Sequence, residues 1–83
     1  MAESFVYRIY ANIEGAKFYF CDASGTLSRN ASDSMIFLDE ATALRYQGLF
    51  EHLYEAKFLE PSRLDIEKEL FNIFVSRIKK AFV

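Results

Sequence analysis

The sequence has one cysteine, one histidine, one proline and no tryptophan. Each scarcity removes a class of function. Cys21 alone cannot close an internal disulfide, which agrees with a reducing compartment and leaves the sequon Asn30-Ala31-Ser32 without a glycan to carry. A structural zinc site takes about four Cys or His ligands, and Cys21 and His52 make two. No apolar run approaches the roughly 18–20 residues of a membrane span, and Met1-Ala2-Glu3-Ser4 shows neither the basic start nor the apolar core of a signal peptide. The expected location is the cytoplasm, with no membrane span. A net charge of -2 supplies no general excess of Lys and Arg for a phosphate backbone, so the average composition argues against nucleic acid as a partner.

What is present is a core. In 83 residues, 52% are hydrophobic and the aromatics number nine Phe and five Tyr, a load that excludes intrinsic disorder and fits a single domain over residues 1–83. Phe5-Val6-Tyr7-Arg8-Ile9-Tyr10 alternates Phe5, Tyr7 and Ile9 with Val6, Arg8 and Tyr10, the period of a strand. Asn12-Ile13-Glu14-Gly15 offers a turn, and Lys17 to Asp22 is a second aromatic run, so a β-hairpin is expected. Residues 23–34 are dominated by Ser, Asp, Asn, Thr and Gly and read as a loop. Met35-Ile36-Phe37-Leu38 suits a short third strand, antiparallel to the second, closing a meander over residues 1–38.

From Asp39 the period becomes helical. Asp39 or Ser34 is a candidate cap, and Ala41, Ala43, Leu44, Tyr46, Leu49, Phe50, Leu53 and Tyr54 trace an apolar stripe, predicting a first helix over 39–60 that frays before Pro61. Ser62, with Asp65 three residues on, resembles a capping box and predicts a second helix over 62–82. The expected fold class is therefore α+β: a three-stranded antiparallel sheet followed by two α-helices.

On the second helix, Phe71, Phe74, Val75, Ile78 and Phe82 share one stripe, and Ile66, Leu70 and Ile73 widen it past half the circumference. A helix on a sheet needs an arc of only about 100° or somewhat more, so the surplus is expected to meet the first helix, a second copy of the chain, or a partner. Charge is also uneven: residues 1–38 sum to -1, residues 39–70 to -4 and residues 71–83 to +3. Arg77, Lys79 and Lys80 at a helix C-terminus complement the helix dipole, and equally form a docking patch for something acidic. Phe71, Phe74, Ile78, Phe82, Arg77, Lys79 and Lys80 are the candidate partner- or dimer-binding residues.

The inventory for catalysis is thin. His52 lies mid-helix among Glu51, Leu53, Tyr54 and Glu55, Cys21 lies on a predicted strand, and nothing pairs them as nucleophile and base. Glu51 with Glu55 and Glu67 with Glu69 read as solvated helix faces. Asp22-Ala23-Ser24-Gly25-Thr26 lacks the glycines and lysine of a phosphate cradle. No enzyme activity, metal or cofactor is expected. Tyr7, Tyr10, Phe18, Tyr19 and Phe20 raise a second reading, an aromatic sheet face that stacks single-stranded nucleic acid, although only Arg8 and Lys17 interleave with them.

The order of a Tyr-rich strand, a Gly turn, Phe18-Tyr19-Phe20, a Ser-rich loop and Ile36-Phe37-Leu38-Asp39-Glu40-Ala41 opening a helix resembles small α+β proteins of phages and mobile elements, including anti-CRISPR-like inhibitors. The resemblance covers about half the chain and implies a non-enzymatic role, binding a host protein or complex, with homodimers in some cases; it supplies no site residue. The expectation is a protein-interaction module, an inhibitor or regulator with a protein partner. Single-stranded nucleic-acid binding and an accessory-subunit role are the alternatives.

Overall fold

The computed structural model of the chain describes residues 3–58 and 64–81. Its elements are β1 (Phe5–Ile13), β2 (Ala16–Phe20), β3 (Leu27–Ser28), α1 (Glu40–Phe58), β4 (Leu64–Leu70) and α2 (Phe71–Ala81), with a 3-10 turn at Ala31–Asp33. The class is α+β, as the change of period implies. The antiparallel sheet has four strands in the order β3-β2-β1-β4.

β1 alternates as its sequence does, and it is the strand on which the others are hung. A two-residue turn joins it to β2: Glu14 and Gly15 both take positive φ (51° and 83°), the geometry that keeps the twist of a tight hairpin. Gly15 carries this conformation without a Cβ penalty, whereas Glu14 is held there by the pairing of Ile13 with Ala16. The loop of residues 23–34 contains more structure than its composition suggests. Asp22 Oδ1 accepts hydrogen bonds from the Ser24 and Thr26 amides and the Ser24 hydroxyl, which hold its carboxyl at about 2 and close a turn. That turn returns the chain as β3, with Leu27 opposite Phe20 and Ser28 opposite Tyr19.

Two expectations are corrected. Met35–Leu38 is not a strand beside β2. The Met35 amide donates to the Phe20 carbonyl, and Phe37 exchanges two backbone hydrogen bonds of 2.9 Å with Tyr7, as an isolated bridge on the edge of β1 that β2 leaves open. The larger correction concerns the helix expected over 62–82. Residues 64–70 are a strand, antiparallel to β1 from Phe5↔Leu70 to Ala11↔Leu64, and only Phe71–Ala81 is helical. The physical signal is a period of two: Leu64, Ile66 and Leu70 alternate with Asp65, Glu67 and Glu69. Lys68 stands on the apolar side, where its ammonium lies 4.3 Å from the Phe5 ring centroid. Good helix formers such as Glu, Lys and Leu mask that alternation, and pairing with β1 outweighs their propensity. The proposed Ser62 cap and the end of helix 1 at residues 59–60 lie outside the described residues.

The register assigns the faces. Tyr7, Ile9, Ala11, Phe20, Leu27, Leu64 and Ile66 point toward α1, which lays Ala43, Tyr46, Phe50 and Leu53 on them. Phe50 is fully buried and stacked on Phe20 with ring centroids 4.3 Å apart. Asp39 caps α1, its side chain accepting from the Thr42 amide at 2.8 Å. Gln47 Nε2 donates to the Leu64 carbonyl at 2.7 Å, tying α1 to β4. Val6, Arg8, Tyr10, Lys17, Tyr19, Glu67 and Glu69 point the other way, toward the side that α2 partly covers.

Candidate functional site: the charged sheet face beneath α2

β1 places one cation, Arg8, on a strand face flanked by Val6 and Tyr10. Its side chain is only 5% exposed, so it requires a counter-charge. β4 supplies two carboxylates at alternating positions. Arg8 Nη1 lies 3.5 Å from Glu67 and 3.3 Å from Glu69. Glu67 also accepts from Lys17 at 3.1 Å and from the Tyr19 hydroxyl at 3.0 Å, and Glu69 accepts from Arg77 of α2. The result is an alternating ladder, Lys17–Glu67–Arg8–Glu69–Arg77, that runs from β2 across β1 and β4 to the helix.

The ladder sets the ionisation of its members. Burial opposes a charge on Glu67, but hydrogen bonds from Lys17 and Tyr19 and the nearby Lys17 and Arg8 charges outweigh it, holding the carboxyl below its ordinary value. Lys17 is raised by its hydrogen bond and charge contact with Glu67, and the Tyr19 hydroxyl is raised by burial and by Glu67. Arg8 Nε and Glu69 Oε1 are buried and have no hydrogen-bond partner among the described residues.

α2 follows β4 without a break. The Phe71 amide donates to the Ser4 carbonyl at 2.9 Å, which extends the β1–β4 ladder by one bond before the chain turns back across the sheet face. The Phe74 ring centroid then lies 5.8 Å from the Arg8 guanidinium carbon. This docking is shallow. Phe74 and Val75 are half-buried, whereas Phe71, Ile73 and Ile78 remain 40%, 49% and 40% exposed. Leu38, 72% exposed, adjoins Phe71 in a shallow pocket with Ser4 and Phe5. Beside Phe74 and Ile78 a second pocket of about 250 Å³ opens, walled by Ile36 and reaching Arg8, Ser32 and Arg77.

Six of the seven residues singled out from sequence lie on described parts of α2. Phe71, Phe74, Ile78 and Arg77 converge on the two pockets, Lys79 and Lys80 are exposed in the last turn, and Phe82 lies outside the described residues. Ile66 and Leu70 do not widen the helix stripe, because they belong to β4 and face α1. The exposed apolar surface comes instead from incomplete seating of a narrower helix. Sequence reasoning missed Arg8, Glu67, Glu69, Ile36 and Leu38. A lone arginine inside an aromatic strand was the available signal for the first, since such a residue implies buried carboxylates elsewhere. His52 is exposed on α1, Cys21 is half-buried at the end of β2, and no cluster of metal-ligating side chains occurs among the described residues. None of the described helices is long and apolar enough to cross a membrane. No family model, curated protein or solved structure matches the chain.

Proposed function

We propose that the chain is a non-enzymatic protein-interaction module whose contact surface is the exposed edge of α2 around Phe71 and Ile78 together with Leu38. The observation that carries the reading is the exposure of Leu38, Phe71 and Ile78 at the two pockets beside α2, in a domain that buries Phe20, Phe37 and Phe50 well; Ile73, Leu44 and Leu49 are exposed away from those pockets. Large apolar side chains grouped at the rim of shallow pockets, with Arg77, Lys79 and Lys80 beside them, have the composition of an interface: an apolar centre and a charged rim. An acidic protein surface is the complementary partner. Occupying such a surface on a host protein or complex would make the module an inhibitor or regulator, the role that its resemblance to phage and mobile-element proteins implies. The nucleic-acid reading has less support, because Tyr19 and Phe20, two of its stacking aromatics, are buried.

The test pairs Leu38→Asp with Phe71→Asp. Leu38 is largely exposed and Phe71 partly so, and the double variant should keep the native circular dichroism with a modestly lowered unfolding midpoint. Wild-type chain immobilised in host extract should retain a protein that the double variant loses. Retention of the same proteins by both would overturn the reading. Light scattering over a range of concentrations separates a second copy of the chain from a different partner.

A further inference from the structure

The pocket under α2 has a chemistry that the protein-binding proposal does not use. Its walls are largely apolar, from Ala31, Ile36, Phe74 and Ile78, and its polar lining residues are Arg8, Arg77 and Ser32. The carboxylates that neutralise those arginines are already shared. Glu69 serves both Arg8 and Arg77, and Glu67 serves both Arg8 and Lys17, so the ladder begins and ends on a cation and holds three cations against two carboxylates. Arg8 is 4% exposed, yet among the described residues its Nε has no acceptor; Glu69 Oε1 on the same face, likewise buried and unpartnered among them, opposes an anion. A buried guanidinium donor without a partner is costly, and it is relieved by an anion brought to that point.

We propose that this pocket binds a small monocarboxylate with one apolar ring or short alkyl chain. The carboxylate accepts from Arg8 Nε and from Arg77 after a small turn of the half-buried Phe74 ring. The apolar body lies between Ile36 and Ile78. Size agrees with this class: about 250 Å³ lies between the roughly 150 Å³ that accommodates benzene and the roughly 300 Å³ at which drug-sized pockets begin. Charge agrees as well, because one anion completes the alternation of the ladder at its cationic end. The site shares Ile78 and Arg77 with the proposed partner surface, but Arg8, Ser32 and Ile36 belong to the pocket alone and Leu38 and Phe71 to the partner surface alone.

The test is a titration of the full, isotope-labelled chain with 3-phenylpropionate at neutral pH, followed by amide NMR, with 3-phenylpropanol as the uncharged probe of the same body. Saturable shifts are expected at Arg8, Ser32, Ile36 and Ile78, with a dissociation constant on the order of 10⁻⁴ to 10⁻³ M for so small a ligand. The alcohol should bind about tenfold more weakly. Arg77→Gln should weaken the carboxylate about fivefold and leave the alcohol unaffected, Ile78→Trp should fill the pocket and abolish both, and Arg45→Gln on α1 should change neither. Each variant is checked for a native spectrum before titration. Equal binding of acid and alcohol, shifts centred on α1, or no saturation at about 10 mM, well above the expected range, would overturn the proposal.

Discussion

The two faces of the sheet are held by different physics. Under α1, Ile9, Ala11, Phe20, Phe37, Ala43, Phe50 and Leu64 form a continuous apolar cluster, and Gln47 and Asp39 satisfy the polar groups at its margin. Under α2, the sheet presents a charge ladder beside buried Val6 and Tyr19, and the helix rests on it through Phe74 over Arg8 and Arg77 against Glu69. Apolar burial is non-directional and scales with area, so the α1 face is where stability is generated. Ion pairs return little net free energy both where they are exposed, as at Lys17 and Arg77, and where desolvation offsets the attraction, as at Arg8 and Glu69, so the α2 face is held less firmly than the α1 face. The main apolar core and the proposed binding surface thereby lie on opposite sides of one four-stranded sheet.

Breaking the α1 face should have the largest effect. Phe50 is fully buried against Phe20, and Phe50→Ala should cost about 3–5 kcal/mol, a large share of the stability of so small a domain. Urea unfolding checks it. If the cost were below about 1 kcal/mol, the α1 face would not be the main source of stability.

Arg8→Met tests the ladder from its centre. It leaves Glu69, whose side chain is 11% exposed, with only Arg77, and should cost about 2–3 kcal/mol, less than the 3–5 kcal/mol of a fully buried pair because Glu67 stays partly solvated and keeps Lys17. The same ladder gives an acid limb. Glu67 titrates below its ordinary value in the folded state, so its contribution is complete above the unfolded carboxyl range and is lost as pH falls through the depressed folded value. Unfolding midpoints measured from about pH 6 to pH 2, a window spanning the ordinary Glu value of about 4.3, should fall on acidification, and Glu67→Gln should flatten that limb. An unchanged limb would assign the acid sensitivity to other carboxylates.

The same division explains what could be read from the chain. The alternation of Phe5 to Tyr10, the Gly15 turn and the helical period from Ala43 to Leu53 are local and strongly periodic, and each appears as an element where the pattern puts it, although Leu44 and Leu49 of the expected stripe are 51% and 49% exposed. β4 was not legible because its residues carry two patterns at once. Leu64, Ile66 and Leu70 fit a strand, while Ile66, Leu70, Ile73 and Phe74 also fit helical spacing in a segment rich in helix formers. Only the partner strand β1 decides between them, and Arg8 carries that information: it needs carboxylates, and strand geometry delivers Glu67 and Glu69 to it together. The candidate site was half visible for the same reason. α2 was evident as an amphipathic, basic helix, whereas its floor depends on pairings more than 50 residues apart in sequence, such as Arg8 with Glu69.

Loosening α2 should cost much less than breaking the α1 face, and two substitutions grade it. Phe74→Ala removes a half-buried ring and should cost about 1–2 kcal/mol, below the range for a fully buried Phe. Arg77→Ala removes an ion pair in which the arginine side chain is 58% exposed, and should cost no more than about 0.5 kcal/mol globally. Its local consequence is more informative. With one of its two anchors gone, α2 should open more often while the sheet and α1 stay closed, so amide exchange should accelerate from Ile73 to Lys80 and remain unchanged at Ile9, Ala11 and Phe50. If exchange rose equally at both sets, the helix and the α1 core would unfold as one cooperative unit, and the separation of a stabilising face from a remodelable one would not hold.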